Sequence, residues 1–299
     1  MDRLQTMSVF VSVAEEAGFA AAARRLNMSP PSVTRAVSEL EVRLGARLLH
    51  RTTRTVRLTQ AGGRYLADCR KILSEVEEAD RNAAGIHAAP SGLVTVTGSV
   101  MFGRVMLTPI LLEALDRYPE LSVSTLFVDR VVHLIDEGID VAVRIAELPD
   151  SSLTAIRVGS VRRVLCASPD YFAIHGRPQT PAELSGHQII DFVNMTPGGE
   201  WKLRENNKNR SYRPSSRLLL NTADAAIAAS EADRGITRVL SYMIAPQLAS
   251  GMLEIVLEDY EPPPVPVHVV HKEPGQTSGS VRAVVDQLVD RLRLNPALS

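Results

Sequence analysis

The chain has few of the residues that build disulfide-linked, metal-binding or aromatic-rich proteins. Its 299 residues include 2 cysteines, 1 tryptophan and 4% aromatic residues in total. Cys69 and Cys166 lie far apart in sequence and the histidines form no HxxxH pair, so we expect neither a disulfide framework nor a metal site. P-loop, GxSxG and GxGxxG motifs are also absent, which disfavours the common enzyme classes. We therefore expect no cofactor, no metal and no catalytic residue.

Long apolar runs are missing as well. No stretch approaches the roughly 20 apolar residues that span a bilayer, and the charged N-terminus, with Asp2, Arg3, Glu15 and Glu16, is unlike a signal peptide. Hydrophobic residues make up 45% of the chain and the net charge is −1. These features predict a cytoplasmic globular protein without a membrane partner, long enough to build two hydrophobic cores.

Lysine is absent from residues 1–62, yet this segment is basic. It carries nine arginines against five acidic residues, a net charge of 9 − 5 = +4, whereas the remaining chain has 24 basic and 29 acidic residues, a net charge of −5. Affinity for a phosphate backbone increases with each cation presented. The asymmetry therefore predicts a nucleic-acid-binding head joined to a domain with another function.

Residues 19–44 have the pattern of two short amphipathic helices separated by a tight turn, which is the layout of a helix-turn-helix. Ser29 is suited to cap the second helix, and Pro30–Pro31 fall in its first turn, where a missing N–H costs little. Helical spacing predicts the buried face of this helix: Val33, Val37, Leu40 and Leu44. The opposite face, with Arg35 and Ser38, suits a DNA major groove. The alternative is an ordinary amphipathic helix on a globular core.

A further amphipathic helix precedes this pair and ends near Gly18, a residue suited to a left-handed cap. After Gly45, two short β-prone segments flank the polar sequence RTTR and predict a hairpin wing. Phosphate contacts are the natural use of Arg51, Arg54 and Arg57 on this wing. A solvated charge run is the alternative.

The run AAARRLNMSPPSVTRAVSELEVRLGARLLHRTTRTVRLTQAG resembles the winged helix-turn-helix of LysR-type transcriptional regulators. The shared motifs are Ala-Ala-x-x-Leu, Ser-x-Pro-x-x-Thr-Arg, Leu-Glu-x-x-Leu-Gly and Thr-x-Ala-Gly. The sequence departs from the family at Pro30, where many members have Gln, and at Ala36, where a longer polar residue is frequent, so we expect fewer direct base contacts. The resemblance implies DNA-contacting roles for Pro31, Ser32, Thr34, Arg35, Ser38, Arg51, Thr52, Thr53 and Arg54.

From Gln60 to about Ala88, turn formers are scarce and apolar residues repeat every seven positions. The repeat consists of Tyr65, Cys69, Ile72, Val76, Ala79, Ala83 and Ile86. This period predicts a helix that pairs with a second copy, the alternative being a helix packed on its own chain. The family resemblance favours self-association into a dimer or tetramer. For Cys69, apolar packing is a better interpretation than a redox switch.

A small-residue segment at 88–92 precedes a change to alternating strands and helices. The βαβαβ order predicts a parallel sheet, with a helix over 102–118 and a short helix over 131–138. A second set of strands and helices follows, and a strand-helix unit over 265–292 ends the chain. This organisation predicts two lobes of similar size.

The second part of the chain resembles the effector domain of LysR-type regulators, a two-lobed α/β fold similar to periplasmic solute-binding proteins. RYPEL, EGIDVAVRI and NTADAA occur in the family's order, and ligands of such folds lie between the lobes, at strand ends. The candidate effector-binding residues are Ser99, Val100, Met101, Phe102, Asp129, Arg144 and Thr222. We expect the hydroxyls of Ser99 and Thr222 to face each other across a cleft, beside helix N-termini that suit a small anionic metabolite. Arg144, at the end of a strand, is a candidate partner for an effector carboxylate, with a surface ion pair as the alternative, and Asp129 is a candidate for selecting a cationic or hydroxyl group.

The sequence thus predicts a sequence-specific transcriptional regulator with an overall α/β fold. Residues 1–59 are expected to form an α-rich winged helix-turn-helix domain, 60–89 a long linker helix for dimerisation, and 90–299 a two-lobed effector domain. The expected partners are double-stranded operator DNA, a small-molecule effector and further copies of the chain, with RNA polymerase as an additional candidate. The alternative function is an enzyme or solute-binding protein that carries a DNA-docking head.

Overall fold

The structure, a computed structural model, describes most of the chain. The described residues are 1–51, 56–83, 89–149, 152–193, 199–206, 208–272 and 278–298. They form two compact units. The first comprises residues 1–94, 117–124 and 278–280, and the second comprises the other described residues. Each unit is built around its own hydrophobic residues.

The head of the first unit is a winged helix-turn-helix followed by a long helix. Its elements are α1 (Arg3–Glu15), α2 (Phe19–Arg25), α3 (Pro30–Leu44), β1 (Leu49–Arg51), β2 (Val56–Leu58) and α4 (Gln60–Ala83). The strands β1 and β2 pair antiparallel, with Leu49 opposite Leu58. The predicted helix pair, wing and linker helix are therefore confirmed within the described residues.

The core of the head contains the predicted face of α3. Val33, Val37 and Leu40 are fully buried and Leu44 packs against them at the edge. Ala36 also belongs to this core, with 1% of its surface exposed. The expectation that a short residue at position 36 removes a base contact is therefore wrong, because this side chain packs inside the head.

The ends of the helices follow the capping signals with one exception. The Ser29 hydroxyl accepts a hydrogen bond from the N–H of Ser32 at 3.3 Å, and Gly45 ends α3 with a left-handed φ of 64°. The left-handed residue between α1 and α2 is Ala17, with φ 48°, and not Gly18 as predicted. Gly18 is extended because it occupies the N-cap position of α2.

Two polar side chains hold the wing against the helices. Oε1 of Glu41 accepts hydrogen bonds from the N–H groups of Leu48 and Leu49, at 2.8 and 3.1 Å. At the other end of the wing, Oγ1 of Thr59 accepts the N–H of Gly62 at 2.9 Å and so caps α4. The motifs Leu-Glu-x-x-Leu-Gly and Thr-x-Ala-Gly thus fix the position of the wing.

The seven-residue repeat of α4 packs against the head near the start of the helix and is more exposed further along. The ring of Tyr65 lies 5.8 Å from that of Phe10, and Cys69 is fully buried in the core of the head. Ile72, by contrast, has 36% of its surface exposed. Ile86 lies outside the described residues. The first two positions of the repeat therefore pack on their own chain, and Ile72 remains accessible to a partner.

The remaining elements alternate between strands and helices. They are β3 (Gly92–Gly98), α5 (Val100–Phe102), α6 (Thr108–Arg117), β4 (Leu121–Phe127), β5 (Val141–Ile145), β6 (Thr154–Val161), β7 (Arg163–Ala167), α7 (Pro169–His175), β8 (Ile189–Phe192), β9 (Trp201–Glu205), β10 (Lys208–Tyr212), β11 (Ser216–Leu220), α8 (Ala223–Glu231), β12 (Ile236–Leu240), α9 (Ala245–Ser250), β13 (Glu254–Val256), β14 (Val265–His271) and α10 (Gly279–Arg293). The sequence prediction missed β6, α7, the β9–β10 hairpin and α9.

Two five-stranded sheets form the two lobes. The first lobe has the strand order β4-β3-β5-β14-β6 and the second has the order β11-β8-β12-β7-β13. In the first lobe β3 and β5 are parallel, but β14 is antiparallel to both β5 and β6. The predicted parallel pairing is therefore confirmed for β3 and β5, whereas the sheet as a whole is mixed because β14 runs antiparallel to its neighbours. Because β6 leads the chain out of this lobe and β14 brings it back, the two strands run in opposite directions.

The two predicted helices of the first lobe also differ from expectation. Residues 131–133 have no regular secondary structure and 134–138 form turns, and Glu137 accepts hydrogen bonds from the N–H of His133 and the guanidinium of Arg130. Such local bonds compete with a helix. The helix predicted over 102–118 begins at Val100 and contains a π-helical segment, Gly103–Leu107. A proline follows at position 109, where the backbone cannot donate the next helical bond.

Candidate functional site

The outward face of α3 carries the residues expected to read DNA. Pro31, Thr34 and Arg35 are exposed, and Ser32 and Ser38 are half-buried. Oγ1 of Thr34 donates a hydrogen bond to the carbonyl of Pro30 at 3.0 Å, so the single hydrogen of this hydroxyl is already used in a bond within the helix. Arg35 is the only cation of these five residues. It is therefore the residue of this face that can contact a guanine edge in bidentate fashion.

The wing is described only at its base. Arg51 ends β1 opposite Val56, while Thr52, Thr53 and Arg54 lie outside the described residues. Their contacts with DNA stay a prediction. Arg57 is exposed on β2, opposite His50.

Not every arginine of the basic head is free for DNA. Glu15, near the end of α1, forms ion pairs with Arg25 of α2 at 2.8 Å and with Arg70 of α4 at 2.9 Å. Arg25 also contacts Glu16 at 3.2 Å. These pairs join three helices. Arg25 therefore contributes to the fold of the head as well as to its charge.

A cavity of about 530 Å³ lies between the two lobes of the second unit. It opens at the carboxyl ends of β3, β4 and β5 and faces the ends of β8 and β12. Three of the predicted effector residues line it: Ser99, Asp129 and Arg144. Most of the other walls are aliphatic, among them Val128, Val132, Val143, Ile145, Leu148 and Leu240.

Arg144 provides a fixed positive charge at this cavity. It lies near the end of β5, opposite His268 of β14. Its Nη2 donates a hydrogen bond to the backbone carbonyl of Val132 at 2.6 Å. The structure thus places a carbonyl dipole, rather than a carboxylate, against this guanidinium. Its charge is oriented but not neutralised by that contact.

Ser99 and Tyr242 bring two buried hydroxyls together beside the same wall. Neither hydroxyl has a hydrogen bond of regular geometry among the described residues. Burial raises the pKa of Tyr242 far above its usual value, although a hydrogen-bonding contact with the Ser99 hydroxyl acts in the opposite direction. The rings of Tyr242 and Phe102 meet edge to face at 5.1 Å. The Ser99 hydroxyl therefore faces that of Tyr242 and is shielded from solvent.

Asp129 lines the cavity and also bonds to the backbone of the same wall. Its Oδ1 accepts a hydrogen bond from the backbone N–H of Val100 at 3.0 Å. The sequence interpretation assigned this N–H to an anionic effector. Because α5 has only three residues and its first N–H already faces a carboxylate, this helix start offers little to an anion.

Four predicted effector residues are not among those that line the cavity: Val100, Met101, Phe102 and Thr222. Met101 and Phe102 are buried, with 7% and 0% of their surfaces exposed. Thr222 caps α8, since its hydroxyl accepts the N–H of Ala225 at 3.4 Å. The structure therefore does not bring the hydroxyls of Ser99 and Thr222 together across this cavity.

An ion pair nevertheless joins the segment that follows Ser99 to the helix that follows Thr222. Nη2 of Arg104 lies 2.6 Å from Oδ1 of Asp224, and both side chains are more than half exposed. Exposed pairs of this kind contribute about 0–1 kcal/mol. The pair is therefore a weak link between the two lobes.

Sequence reasoning also missed residues of the cavity. Phe192, at the end of β8, and Arg130 and Glu147, after β4 and β5, line it. Their positions after strand ends were the signal that could have identified them. Met243 could not be identified in this way. It lies in a 3₁₀ turn, Ser241–Ile244, which the sequence pattern indicated to be part of a strand.

Three observations concern metal binding, thiol reactivity and membrane insertion. The described residues contain no group of three or more His, Cys, Asp or Glu that could hold a metal ion. Cys69 and Cys166 are buried, and burial raises the pKa of these thiols to about 11 and about 12. Within the described part of the chain, no helix has the length and apolarity to cross a membrane.

A winged helix-turn-helix joined to a two-lobed domain with a cavity between its lobes defines a ligand-responsive DNA-binding protein. The head matches the family described as bacterial regulatory helix-turn-helix protein, lysR family, over residues 4–63. Residues 87–293 match the LysR substrate binding domain. The chain belongs to the LysR-type transcriptional regulators, which carry an effector-binding domain.

Named relatives agree with this assignment. The HTH-type transcriptional activator AaeR of Escherichia coli (strain K12) is 33% identical over 291 residues, which is 97% of this chain and 94% of the relative. CrgA of Neisseria meningitidis serogroup B, an HTH-type transcriptional regulator, is 29% identical over 97% of each chain. The solved structure of CrgA, at 29% identity, matches with a TM-score of 0.63 over 96% of this chain and 98% of that chain. These relatives are named as regulators and not as enzymes.

Proposed function

We propose that this regulator binds a small organic anion with an apolar body in the cavity between its lobes, and that this ligand changes how dimers or tetramers of the chain bind operator DNA. The Arg144 guanidinium carries the proposal, because Arg144 lines the cavity with its charge oriented by the Val132 carbonyl, and Ser99, whose hydroxyl can turn from Tyr242 to a ligand, lines the same wall. One carboxylate can accept hydrogen bonds from both groups, and bonds of this charge-assisted kind are strong.

The shape and lining of the cavity support an apolar body on this ligand. A volume of about 530 Å³ is within the range of small-molecule sites, roughly 300–1,000 Å³. Val128, Val143 and Ile145 of the first lobe and Leu240 of the second lobe offer aliphatic contacts. A ligand that fills the cavity therefore touches both lobes. It can act as a regulator by preferring one arrangement of the lobes over another.

DNA binding is assigned to the outward face of α3 and to the wing, and self-association to the exposed part of α4 around Ile72. Two copies of a helix-turn-helix fit two operator half-sites related by a two-fold axis. RNA polymerase is the further partner through which a bound regulator changes transcription, and the cytoplasm is where these partners meet. Run-off transcription with and without the protein tests that step.

Gel shifts with DNA from beside the protein's own coding region, repeated in the presence of organic acids, test the proposed function. We expect tight binding to this DNA and a change in binding with some of the acids, which should also raise the melting temperature. Arg144→Gln should lose the response. Arg157→Gln, an exposed arginine of the same sheet, is the matched control. Acids that act equally on Arg144→Gln and on the original protein would contradict the proposed site.

The alternative is an enzyme or solute-binding protein that uses the head only to dock on DNA. The predicted absence of a catalytic residue and the names of the relatives favour a regulator. The two functions predict different experimental results. Turnover of a bound acid, or ligand binding that leaves operator affinity unchanged, would support the alternative.

A further inference from the structure

A charged cluster is buried in the sheet of the second lobe. Arg238 of β12 and Arg163 of β7 occupy diagonal positions on one face of two antiparallel strands. Asp191 of β8 comes beside Arg238 where the parallel pairing of β8 and β12 continues by one residue. We call these three residues the Arg238 cluster. None of them is among the residues that line the cavity between the lobes.

The polar groups of this cluster are buried and incompletely bonded. Arg238 and Asp191 have 5% and 4% of their surfaces exposed. Nε of Arg238 and Oδ1 of Asp191 have no hydrogen-bond partner in the described part of the chain. Buried polar groups in folded proteins are almost always bonded. A donor atom of Arg238 and an acceptor atom of Asp191 therefore lack the hydrogen-bond partners that buried polar atoms usually have.

The cluster also holds more positive than negative charge. Burial, followed by the positive charge of Arg163, lowers the pKa of Arg238 to about 10, while Asp191 acts in the opposite direction. Burial lowers the pKa of Arg163 too. The cluster thus has two guanidinium groups and one carboxylate, which acts on Arg238. An uncompensated buried charge is costly, so a compensating anion is expected.

Arg163 is half-exposed, so the cluster can be reached from solvent. A pair of guanidinium groups matches the oxygen atoms of a small oxyanion, through parallel N–H···O bonds.

We propose that Arg238 and Arg163 bind a small oxyanion, a phosphate, sulfate or carboxylate, at a second site of the effector domain. The anion accepts hydrogen bonds from the two guanidinium groups and balances the excess positive charge beside Asp191. This site is independent of the effector proposed for the cavity. It gives the second lobe a ligand of its own.

The protein carries a natural reporter for this site. Trp201 is the single tryptophan of the sequence and is 1% exposed. It packs in one core with Leu165, Ile189 and Ile236, which are the next residues on the same face of β7, β8 and β12. An anion that orders the cluster should therefore change the fluorescence of Trp201.

Titration of the full chain with inorganic phosphate, sulfate and acetate, at constant ionic strength balanced by chloride, tests the proposal. We expect a saturable change in Trp201 fluorescence and a higher melting temperature with at least one oxyanion. Arg238→Met and Arg163→Met should each weaken the response at least tenfold. Arg210→Met, an arginine of the same lobe whose side chain is 62% exposed, should bind as the original protein does. Arg144→Gln should also retain the response, which separates this site from the cavity.

Asp191→Asn provides a test of opposite sign. Because it removes negative charge beside the anion, it should tighten oxyanion binding. If Arg238→Met does not fold, Arg163→Met decides, since it leaves Arg238 beside Asp191. The proposal is overturned by the absence of a saturable response, by an equal response to chloride, by unchanged affinity in folded Arg163→Met, or by weaker binding in Asp191→Asn.

Discussion

Gly62 and Leu48 lie so close together that a Cβ at position 62 would stand 1.9 Å from the carbonyl oxygen of Leu48. Leu48 leads into the wing and Gly62 belongs to the first turn of α4, so this contact sets the distance between the two elements. Thr59 reinforces it, since its hydroxyl lies 3.2 Å from the same carbonyl oxygen. A side chain at the glycine of the Thr-x-Ala-Gly motif would thus clash with the backbone of Leu48, which explains why glycine occupies this position.

Gly62→Ala should therefore displace the wing from α4. We expect a loss of about 1–3 kcal/mol in the free energy of unfolding, the usual range for overpacking, together with weaker operator binding. Gly63→Ala is the matched control, because a Cβ there meets no atom within 4 Å, and it should stabilise α4 by about 0.5–1 kcal/mol. Urea unfolding and gel shifts measure both effects. Equal behaviour of the two variants would contradict the steric explanation.

Arg35 is predicted to read bases and Arg51 to contact phosphates. Arg35→Ala should reduce the preference for the operator over random DNA by about 1–3 kcal/mol per half-site, because a bidentate guanine contact is lost. Arg51→Ala should weaken binding to both kinds of DNA alike and reduce the salt dependence. Affinities for specific and random duplexes across a salt series distinguish the two. Unchanged discrimination by Arg35→Ala would exclude the base-reading role.

Local signals of the head were sufficient to predict its fold. The Ser29 cap, the prolines of the first turn and the spacing of Val33, Val37 and Leu40 are short-range features, and each is present in the structure. The direction of β14 could not be predicted in this way. It depends on the chain leaving the first lobe and returning to it, which no local pattern records.

The rule that ligand-binding residues follow strand ends identified some residues of the cavity and misassigned another. Ser99 and Arg144 follow or end predicted strands, and strand ends meet at one edge of a sheet, so both line the cavity. Thr222 satisfies the same rule in sequence, but its hydroxyl is used as the cap of α8. The bond between Asp129 and Val100 joins residues 29 positions apart. Contacts of this kind require the tertiary structure.

The exposed side of α4 is predicted to hold the dimer together. Ile72→Glu with Val76→Glu should shift the protein toward monomers, because an unpaired carboxylate in an apolar interface is costly, and operator binding should fall with it. Arg64→Glu with Ala67→Glu, at exposed positions of the same helix, is the control with the same number of new carboxylates. Sedimentation measures the assembly. An unchanged oligomer in the folded Ile72 and Val76 variant would make the repeat ordinary intrachain packing.

Both thiols are predicted to be unreactive in the folded protein. Burial raises the pKa of Cys69 to about 11 and that of Cys166 to about 12, so at pH 8 about one Cys69 thiol in a thousand is ionised. Iodoacetamide should label neither residue in the native state and both in urea. Because the folded pKa exceeds the unfolded value, stability should decrease as the pH rises from about 9 toward 11. Rapid labelling of native Cys69 at pH 8 would instead support a redox role.

Ser99 and Thr222 provide the sharpest test of the effector site, because the sequence interpretation predicts equal losses for both residues and the structure does not. Ser99→Ala removes the hydroxyl of a residue that lines the cavity, so the effector should bind roughly 10–100-fold more weakly, in keeping with the loss of a hydrogen bond to a charged group. Operator affinity without effector should not change, since this side chain contacts ligand rather than DNA.

Thr222→Ala removes only the cap of α8 in the structure, so it should lower stability by about 1 kcal/mol and leave the effector response intact. The measurement is the effector concentration that gives half of the full change in operator binding, determined for both variants with an acid found in the gel-shift screen. A loss of response in Thr222→Ala as large as in Ser99→Ala would show that the ligand reaches α8. The site would then extend beyond the cavity that Ser99 and Arg144 line.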